Sequence, residues 1–410
     1  MIYLAICAMG LAWEVNLVGR LTFADILLVA ALPVLIATKR ASRLTPLVIQ
    51  FYIFLLFWFL GAVATDAYRS TPIEDLYRGW AKIAFLGLNF TAMWLFAQNS
   101  RGKMIAFVFL LLVASAIRIK TQPTNEFGDV LFDDGLFGNA WKFGYGQLVA
   151  GAALLVSARL LNNPITKMYG VILPFADAAL NLALNARNLF GLTAISALVV
   201  LLTFGRRRPA SAPQLAIYAM LAIALGWGST SAYTYAAGSG MLGIDAQEKY
   251  ELQASGSLGL LIGGRTESLA STQAIIDSPI LGHGSWARDK YYVDLMLSRL
   301  EQAGYEIRGG DSEDDLIPSH SHLFGAWVEA GILGAFFWGW AVYVAIRGIY
   351  GAIQRPEPFT GFVVFIGLSL LWDIFFSPFG LERHVITPAW LLLMMLYAET
   401  SKKEGRSIGA

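Results

Sequence analysis

A long polar interval ends in the sequence PSHSHLF at residues 318–324, and the sequence EAG follows at residues 329–331 inside an apolar segment. Two of the four histidines, His320 and His322, therefore stand where the chain passes from polar to apolar sequence. An imidazole at the wet end of a transmembrane helix is suited to chemistry on a molecule presented at the lipid surface. Both the fold and the function predicted for this chain depend on whether that apolar segment spans a membrane.

The composition is that of a membrane protein. Hydrophobic residues make up 56% of the 410 residues, charged residues only 14%, and the mean hydropathy is +0.57. A soluble protein of this length has too little interior to bury so much apolar surface, so we predict an all-α, polytopic membrane protein. The net charge of +1 argues against a nucleic-acid partner, which favours a basic face. The single cysteine, Cys7, excludes a disulfide framework.

Twelve apolar segments are long enough to cross about 30 Å of hydrocarbon. The N-terminus lacks the basic region and cleavage site of a signal peptide, so we expect the first segment to be retained as a span. The predicted spans are 2–19, 22–38, 45–64, 79–98, 103–119, 140–160, 168–184, 188–205, 213–232, 321–345, 358–377 and 384–399.

Basic residues predict how these spans are oriented. They occur in every second connector and in the C-terminal tail, which places both termini in the cytoplasm by the positive-inside rule. The interval 233–319, His320 and the connector that holds Arg187 then lie outside the cytoplasm. ATP and nucleotide sugars are cytoplasmic, so chemistry at this face needs a substrate that arrives activated. The basic connectors contain Lys39, Arg40 and Arg43; Arg101 and Lys103; Arg159 and Lys167; Arg206, Arg207 and Arg208; and Arg347 and Arg355.

The outer interval is far longer than a connector needs, and we predict that it forms a small helical cap. Apolar spacing predicts helices over 266–276 and 288–303, with a stop at Asp277-Ser278-Pro279 and a tight turn at Gly282-His283-Gly284 between them. The predicted organisation is transmembrane helices 1–9 in 1–232, a periplasmic loop or cap in 233–319, and transmembrane helices 10–12 with a cytoplasmic tail in 320–410.

His320 is the first candidate for chemistry, because a neutral imidazole can accept a proton from a sugar hydroxyl. The alternative is a polar residue that caps the helix at the water interface. His322 competes with it, but a residue two positions along a helix points about 200° away. Both therefore cannot face one substrate once the helix has begun.

Arg187 and Arg265 are the candidates for binding phosphate, since a guanidinium contacts two oxygens at once and keeps its charge. The alternative for Arg187 is a snorkelling anchor at the membrane interface, and for Arg265 an exposed loop residue. His283 and His384 are weaker candidates. No metal cluster is apparent, although Asp311, Glu313, Asp314 and Asp315 could bind a cation loosely.

Five other ionisable residues lie in or near the spans. A proton-coupled transporter would use such groups, but we expect them to form pairs between helices or to reach the interface. These residues are Asp25, Lys82, Asp177, Glu329 and Asp373.

Several motifs resemble those of the O-antigen ligase and O-antigen or exopolysaccharide polymerase superfamily of bacterial membrane glycosyltransferases. Its hallmark, a His-Asn or His-Ser pair before a span that opens with Glu-x-Gly, reads here as His320-Ser321 and Glu329-Ala330-Gly331. Its upstream Gly-Arg and Pro-x-x-Gly-x-Gly read as Gly264-Arg265 and Pro279-Ile280-Leu281-Gly282-His283-Gly284. Arg187 resembles the arginine that opens an earlier span, with Ala186 where serine is more usual. The resemblance is strong over 260–340 and hydropathic elsewhere.

The resemblance implies a GT-C type enzyme of the bacterial inner membrane with a periplasmic active site. The donor would be a glycan on undecaprenyl diphosphate, and transfer would be inverting, without metal or cofactor. Arg187 and Arg265 would bind the diphosphate and His320 would orient or deprotonate the acceptor hydroxyl. The possible supporting residues are His322, Glu329 and His283.

Three functions remain open at this level. A polymerase would use another lipid-linked glycan as acceptor and could have a chain-length regulator as a partner, whereas a ligase would use lipid A-core. We favour the polymerase, because such proteins act in many polysaccharide pathways and ligation needs lipid A-core. The alternative outside the enzymes is a lipid-linked glycan flippase or other transporter, which predicts internal repeats and midplane charges. No convincing repeat relates the two halves, and a transporter has little use for the long cap.

Overall fold

The described residues are mostly helical in the computed structural model, which confirms the predicted all-α class. The structure describes residues 2–17, 19–38, 44–122, 139–206, 208–241, 243, 247, 250–251, 267–302 and 315–399. The helices within these ranges are α1 (Ile2–Met9), α2 (Phe23–Ala37), α3 (Pro46–Arg69), α4 (Ile73–Ala97), α5 (Arg101–Thr121), α6 (Gly146–Leu161), α7 (Lys167–Ala183), α8 (Arg187–Thr203), α9 (Ala212–Gly238), α10 (Glu267–Asp277), α11 (Lys290–Gln302), α12 (His322–Gln354), α13 (Thr360–Phe376) and α14 (Arg383–Ala398). A π-helical turn, Trp141–Tyr145, leads into α6.

The prediction of one continuous span over 2–19 is wrong. A 3-10 turn, Gly10–Ala12, ends the first helical segment, and β1 (Glu14–Leu17) pairs antiparallel with β2 (Gly19–Thr22). The next helix begins at Phe23 because Thr22 and Asp25 form a capping box: the Thr22 hydroxyl accepts from the Asp25 N–H (3.2 Å), and the Asp25 carboxylate accepts from the Thr22 N–H (2.9 Å). Hydropathy alone does not report such a helix start.

Among the residues that the structure describes, six helical segments are long and apolar enough to cross a membrane, which fits a membrane protein. The predicted count of twelve spans is not confirmed. Helices of 15 to 17 residues, such as α2, α8 and α13, rise only about 25 Å at 1.5 Å per residue, less than the hydrocarbon thickness of about 30 Å. The six segments are Pro46–Arg69, Ile73–Ala97, Arg101–Thr121, Trp141–Leu161, Ala212–Gly238 and His322–Gln354.

The long helix α12 forms the centre of the bundle and packs against α3, α13 and α14. Glycine allows its closest approach to α3, since a Cβ added at Gly61 would lie 2.8 Å from the Ala330 carbonyl oxygen. Aromatic rings fill the same interface: Trp58 lies 5.2 Å from Phe337 and 5.5 Å from Trp338, measured between ring centroids. Small residues at helix contacts and tight packing are what holds helices together in lipid.

Helices α10 and α11 form the predicted cap, close to the predicted bounds of 266–276 and 288–303. They pack on each other and on α12 through a small apolar cluster. Gly282 and Gly284 between them have φ of 77° and 98°, as a tight turn there requires. The cluster contains Ala270, Ala274, Ala287, Tyr292, Ile317 and Val328.

The contacts of the helix ends define two ends of the bundle, which we call the cap end and the opposite end. At the cap end, Arg69 at the end of α3 donates to the Ser278 hydroxyl (2.9 Å). At the opposite end, Gln354 at the end of α12 donates to the Ala210 carbonyl (3.2 Å), just before α9. That the cap end is periplasmic stays a prediction from the basic connectors.

Candidate functional site

The helix α12 breaks at Gly331, within the Glu-x-Gly motif, and a cap segment occupies the break. Gly331 has φ 63° and ψ −157°, and its missing side chain makes room for the cap backbone. A Cβ there would lie only 1.9 Å from the Ile280 oxygen. The Ile280 carbonyl accepts from the Ile332 N–H (3.2 Å), directly after the break.

The Pro-x-x-Gly-x-Gly motif supplies the other half of this contact. The N–H groups of His283 and Gly284 donate to the carbonyls of Val328 (2.7 Å) and Glu329 (3.1 Å). A Cβ at Gly282 would lie 2.7 Å from the Gly331 nitrogen, so glycine is required on both sides. The two motifs, far apart in the sequence, form one backbone-to-backbone joint between cap and bundle.

The end of α3 fastens the same cap segment from the other side. The carboxylate of Asp66 accepts from the Ser285 N–H (2.6 Å), the Ser285 hydroxyl (2.7 Å) and the Trp80 indole (2.8 Å). Arg69 donates to the Gly282 carbonyl through Nε (3.0 Å) and Nη2 (2.8 Å). The sequence alone did not identify Asp66 or Arg69, because no local pattern links them to the cap.

A short antiparallel contact carries the chain from the cap to the start of α12. The Ile317 N–H donates to the Ala287 carbonyl (2.9 Å) and the Asp289 N–H to the Asp315 carbonyl (2.7 Å). Arg288 adds ion pairs with Asp315 (2.6 Å) and with Asp75 at the start of α4 (3.2 Å). The segment that holds His320 is therefore fixed to the cap before it enters the bundle.

His320 is the exposed histidine of the pair, with 51% of its side chain accessible. Its Nδ1 lies 3.1 Å from Oε1 of Glu267, the first residue of α10, and that side chain is 29% accessible. Sequence analysis did not identify Glu267. Its one local signal was an acidic residue in the first turn of the predicted cap helix, and nothing in the spacing connected it with His320.

His322 lies in the bundle interior with 1% of its surface accessible. Its Nδ1–H donates to the Ser377 carbonyl (2.7 Å), and its ring packs edge-on against Trp338 (4.8 Å) and Phe379 (5.1 Å). Ser321 between the two histidines caps α12, accepting from the Phe324 N–H (3.1 Å). Because the helix begins at His322, the rotation of about 200° within a helix does not apply to the pair. The two imidazoles occupy different environments because His320 precedes the helix and His322 enters the bundle.

Glu329 and His283, the other possible supporting residues, have structural contacts. The Glu329 carboxylate forms an ion pair with Lys82 of α4, between side chains that are 16% and 13% accessible. His283 Nε2 hydrogen-bonds with the Ala274 carbonyl (2.8 Å), and its ring contacts Tyr292 (5.1 Å). Burial lowers the pKa of His283, and the charge of Arg69 acts in the same direction. A largely neutral His283 inside the cap fits this packing.

Arg187 begins α8, and its guanidinium lies 4.4 Å from the centre of the Tyr233 ring on α9. The start of α8 also meets the start of α6, since a Cβ at Gly146 would lie 2.7 Å from a Leu189 methyl. The structure thus places Arg187 against α9, whereas His320 lies against α10. Convergence of the two groups on one ligand stays a prediction.

Arg265 lies outside the described residues, two positions before Glu267 in the sequence. Asp311, Glu313 and Asp314 of the acidic turn also lie outside them, and Asp315 pairs with Arg288. Within the described ranges, no group of three or more histidine, cysteine or acidic side chains could hold a metal ion.

Asp25, Lys82, Glu329 and Asp373 have partners on other helices, as expected, whereas the buried Asp177 bonds to Asn181 of its own helix. Neutral or ionic partners lower the cost of placing these groups in a low-dielectric interior. The pairs join Asp25 to Asn89 (2.6 Å), Asp177 to Asn181 (3.1 Å), Glu329 to Lys82 and Asp373 to Arg383.

No family model matches this chain, and no curated protein matches it.

Proposed function

We propose that this chain is a membrane glycosyltransferase of the O-antigen polymerase and ligase type. It moves a glycan from undecaprenyl diphosphate to a sugar hydroxyl at the periplasmic face of the bacterial inner membrane. The observation that carries the proposal is the pair of His320 and Glu267: an accessible imidazole, contacted by a carboxylate, beside the cap of an apolar helical bundle. The place of His320 two residues before α12, the helix that contains the Glu-x-Gly break, supports the same assignment.

In the proposed reaction, the acceptor hydroxyl oxygen attacks the anomeric carbon from the face opposite the diphosphate. The new glycosidic C–O bond forms as the bond from that carbon to the diphosphate oxygen breaks, so the configuration inverts. The hydroxyl proton passes to Nε2 of His320, which acts as the general base. The electron pair of the broken bond leaves with undecaprenyl diphosphate, a good leaving group that requires no general acid.

Arg187 and Arg265 are the proposed diphosphate ligands. Negative charge grows on the leaving oxygen during transfer, and fixed guanidinium groups stabilise it more strongly in the transition state than in the bound donor. The guanidinium carbon of Arg187 lies over the Tyr233 ring, 4.4 Å from its centroid. A guanidinium carries five N–H donors in a planar fork that matches phosphate oxygens, which supports Arg187 as a diphosphate ligand.

We propose a second lipid-linked glycan as the acceptor, which makes the enzyme a polymerase. The preference over lipid A-core rests on the wider range of pathways that polymerases serve. For the transporter, the relevant observation is that the ionisable residues at Asp25, Asp177, Glu329 and Asp373 have partners within the bundle. Static pairing between helices accounts for Asp25, Glu329 and Asp373 without a moving proton, and Asp177 bonds to Asn181 within its own helix.

Purified protein in proteoliposomes, supplied with lipid-linked repeat units, tests the proposal. We expect a ladder of polymer without lipid A-core, and the same ladder in the presence of a chelator. When lipid A-core is added, transfer of the glycan to the core in place of a polymer ladder would identify the ligase. His320→Ala should lower the rate by roughly 10²- to 10⁴-fold, whereas the neighbouring Ser319→Ala should not. Movement of repeat units across the bilayer without any new glycosidic bond would overturn the enzyme assignment.

A further inference from the structure

We infer that Glu267 is the positioning residue for His320: it selects the ring tautomer and stabilises the cation formed when the acceptor proton arrives. The inference deepens the proposed function and rests on it. Glu267 lies in the cap and His320 at the entrance of the bundle, so the proposed base would be complete only with the cap in place.

The geometry of the pair determines which ring nitrogen is the base. Nδ1 of His320 lies 3.1 Å from Oε1 of Glu267. A carboxylate oxygen presents only lone pairs, so a neutral ring at this distance favours the tautomer with its proton on Nδ1, facing that oxygen. The lone pair of the neutral ring is then on Nε2. A carboxylate that holds an imidazole in this way sets its tautomer and favours the imidazolium that forms during proton transfer.

Packing fixes the helix that carries Glu267. Ala270 and Ala274, on the next two turns of α10, are fully buried in the cap cluster. Arg299 of α11 donates to the Leu269 carbonyl (3.2 Å) and to the Gln273 side chain (3.0 Å). The first turn of α10 is therefore held by its neighbours, and it presents the carboxylate from a supported backbone.

The backbone on both sides of His320 is fixed as well. Upstream, the Ile317 N–H donates to the Ala287 carbonyl of the cap (2.9 Å). Downstream, the Ser321 hydroxyl donates to the Ile374 carbonyl at the end of α13 (2.8 Å). Because His320 and Glu267 both lie on segments held by other contacts, little conformational entropy is lost when their side chains meet.

The solvent accessibility of both side chains limits how much Glu267 can contribute to the rate. The side chains of His320 and Glu267 are 51% and 29% accessible, so water screens their interaction. The fall in kcat on removing Glu267 should thus be smaller than in a fully buried histidine–carboxylate pair. We expect kcat to fall roughly 10-fold in Glu267→Gln and roughly 10- to 100-fold in Glu267→Ala, with KM for the donor nearly unchanged.

The kinetic test compares these variants with Glu301→Gln, the same substitution at an exposed position of α11. The control should retain wild-type kcat and KM. Glu267→Gln keeps an oxygen that can accept the Nδ1–H, so it separates loss of charge from loss of the contact. Wild-type kcat in both Glu267 variants would overturn the inference. A rise in KM at constant kcat would do so too, since it would assign Glu267 to substrate binding.

A readout that does not need activity is ¹⁵N NMR of histidine-labelled, full-length protein, with His320→Ala to assign the signal. We expect a protonated Nδ1 and a free Nε2 in the neutral wild-type ring, and a shift toward the other tautomer in Glu267→Ala. An unchanged tautomer in Glu267→Ala would refute the inference even if the variant were unstable. Retained transfer in His320→Ala would refute the catalytic role of His320 itself, which is a separate result.

Discussion

Gly331→Ala should open the joint between the cap and α12. The substitution adds one methyl group at a residue with φ 63° and ψ −157°, a conformation that essentially only glycine adopts. The methyl would lie 1.9 Å from the Ile280 oxygen. The cap segment must therefore move away from the helix, or the helix must straighten and displace it.

The structure gives the size of this effect. Alanine in such a conformation costs about 1–3 kcal/mol. Displacing the cap segment also breaks the hydrogen bonds from His283, Gly284 and Ile332, at about 0.5–1.5 kcal/mol each. Together these contributions give roughly 3–7 kcal/mol, a change of roughly 10²- to 10⁵-fold in the equilibrium for cap opening.

Hydrogen–deuterium exchange of the three amides measures that equilibrium. Their protection should fall by the stated factor in Gly331→Ala, and glycan transfer should fall with it. Gly339→Ala on the same helix is the matched control, because a Cβ there meets no atom within 4 Å. Wild-type protection of these amides in Gly331→Ala would show that the joint does not hold the cap, and the structural reasoning would fail.

Two further predictions concern buried ionisable groups. Lys82→Ala leaves the Glu329 carboxylate without its ion-pair partner and should destabilise the protein by about 3–5 kcal/mol. The double variant Lys82→Met, Glu329→Gln should recover most of the lost stability, because it leaves no unpaired buried charge. An unchanged thermal midpoint in Lys82→Ala would contradict this. Burial lowers the pKa of His283 below its ordinary value of 6.5, so the cap should be most stable above that pH and lose stability as the pH falls from it. Exchange protection of the cap at pH 7.5 and 5.5 checks this, and the dependence should weaken in His283→Gln; equal protection at both values would refute it.

Hydropathy was informative about helix positions and less so about helix ends. Each predicted span other than 2–19 contains a single helix over most of its length, because a long apolar run in lipid has to satisfy its backbone internally. The ends depend on individual side chains, such as the capping box at Thr22 and Asp25. The hairpin before α2 and the short lengths of α2, α8 and α13 were therefore not predicted from composition.

The candidate site was predictable only where its residues share a local pattern. The His-Ser motif selected His320 over His322, and the structure distinguishes the two, because His320 precedes the helix and is exposed whereas His322 begins it and is buried. The contacts of Glu267 with His320 and of Arg187 with Tyr233 join distant parts of the chain. No spacing rule links such residues, so these contacts follow from the tertiary packing of the cap and of α9.

The motif residues divide into two physical roles, and this division bears on the choice between ligase and polymerase. Gly282, Gly331 and the backbone groups around them build the joint between cap and α12. Of the motif residues that the structure describes, His320 has the most accessible titratable side chain, at 51% against 16% for Glu329. On the proposed function, the joint and His320 serve transfer to either acceptor, whichever molecule bears the hydroxyl. We therefore expect substitutions that exchange polymerase for ligase activity to fall on other surfaces of the cap rather than in the motif.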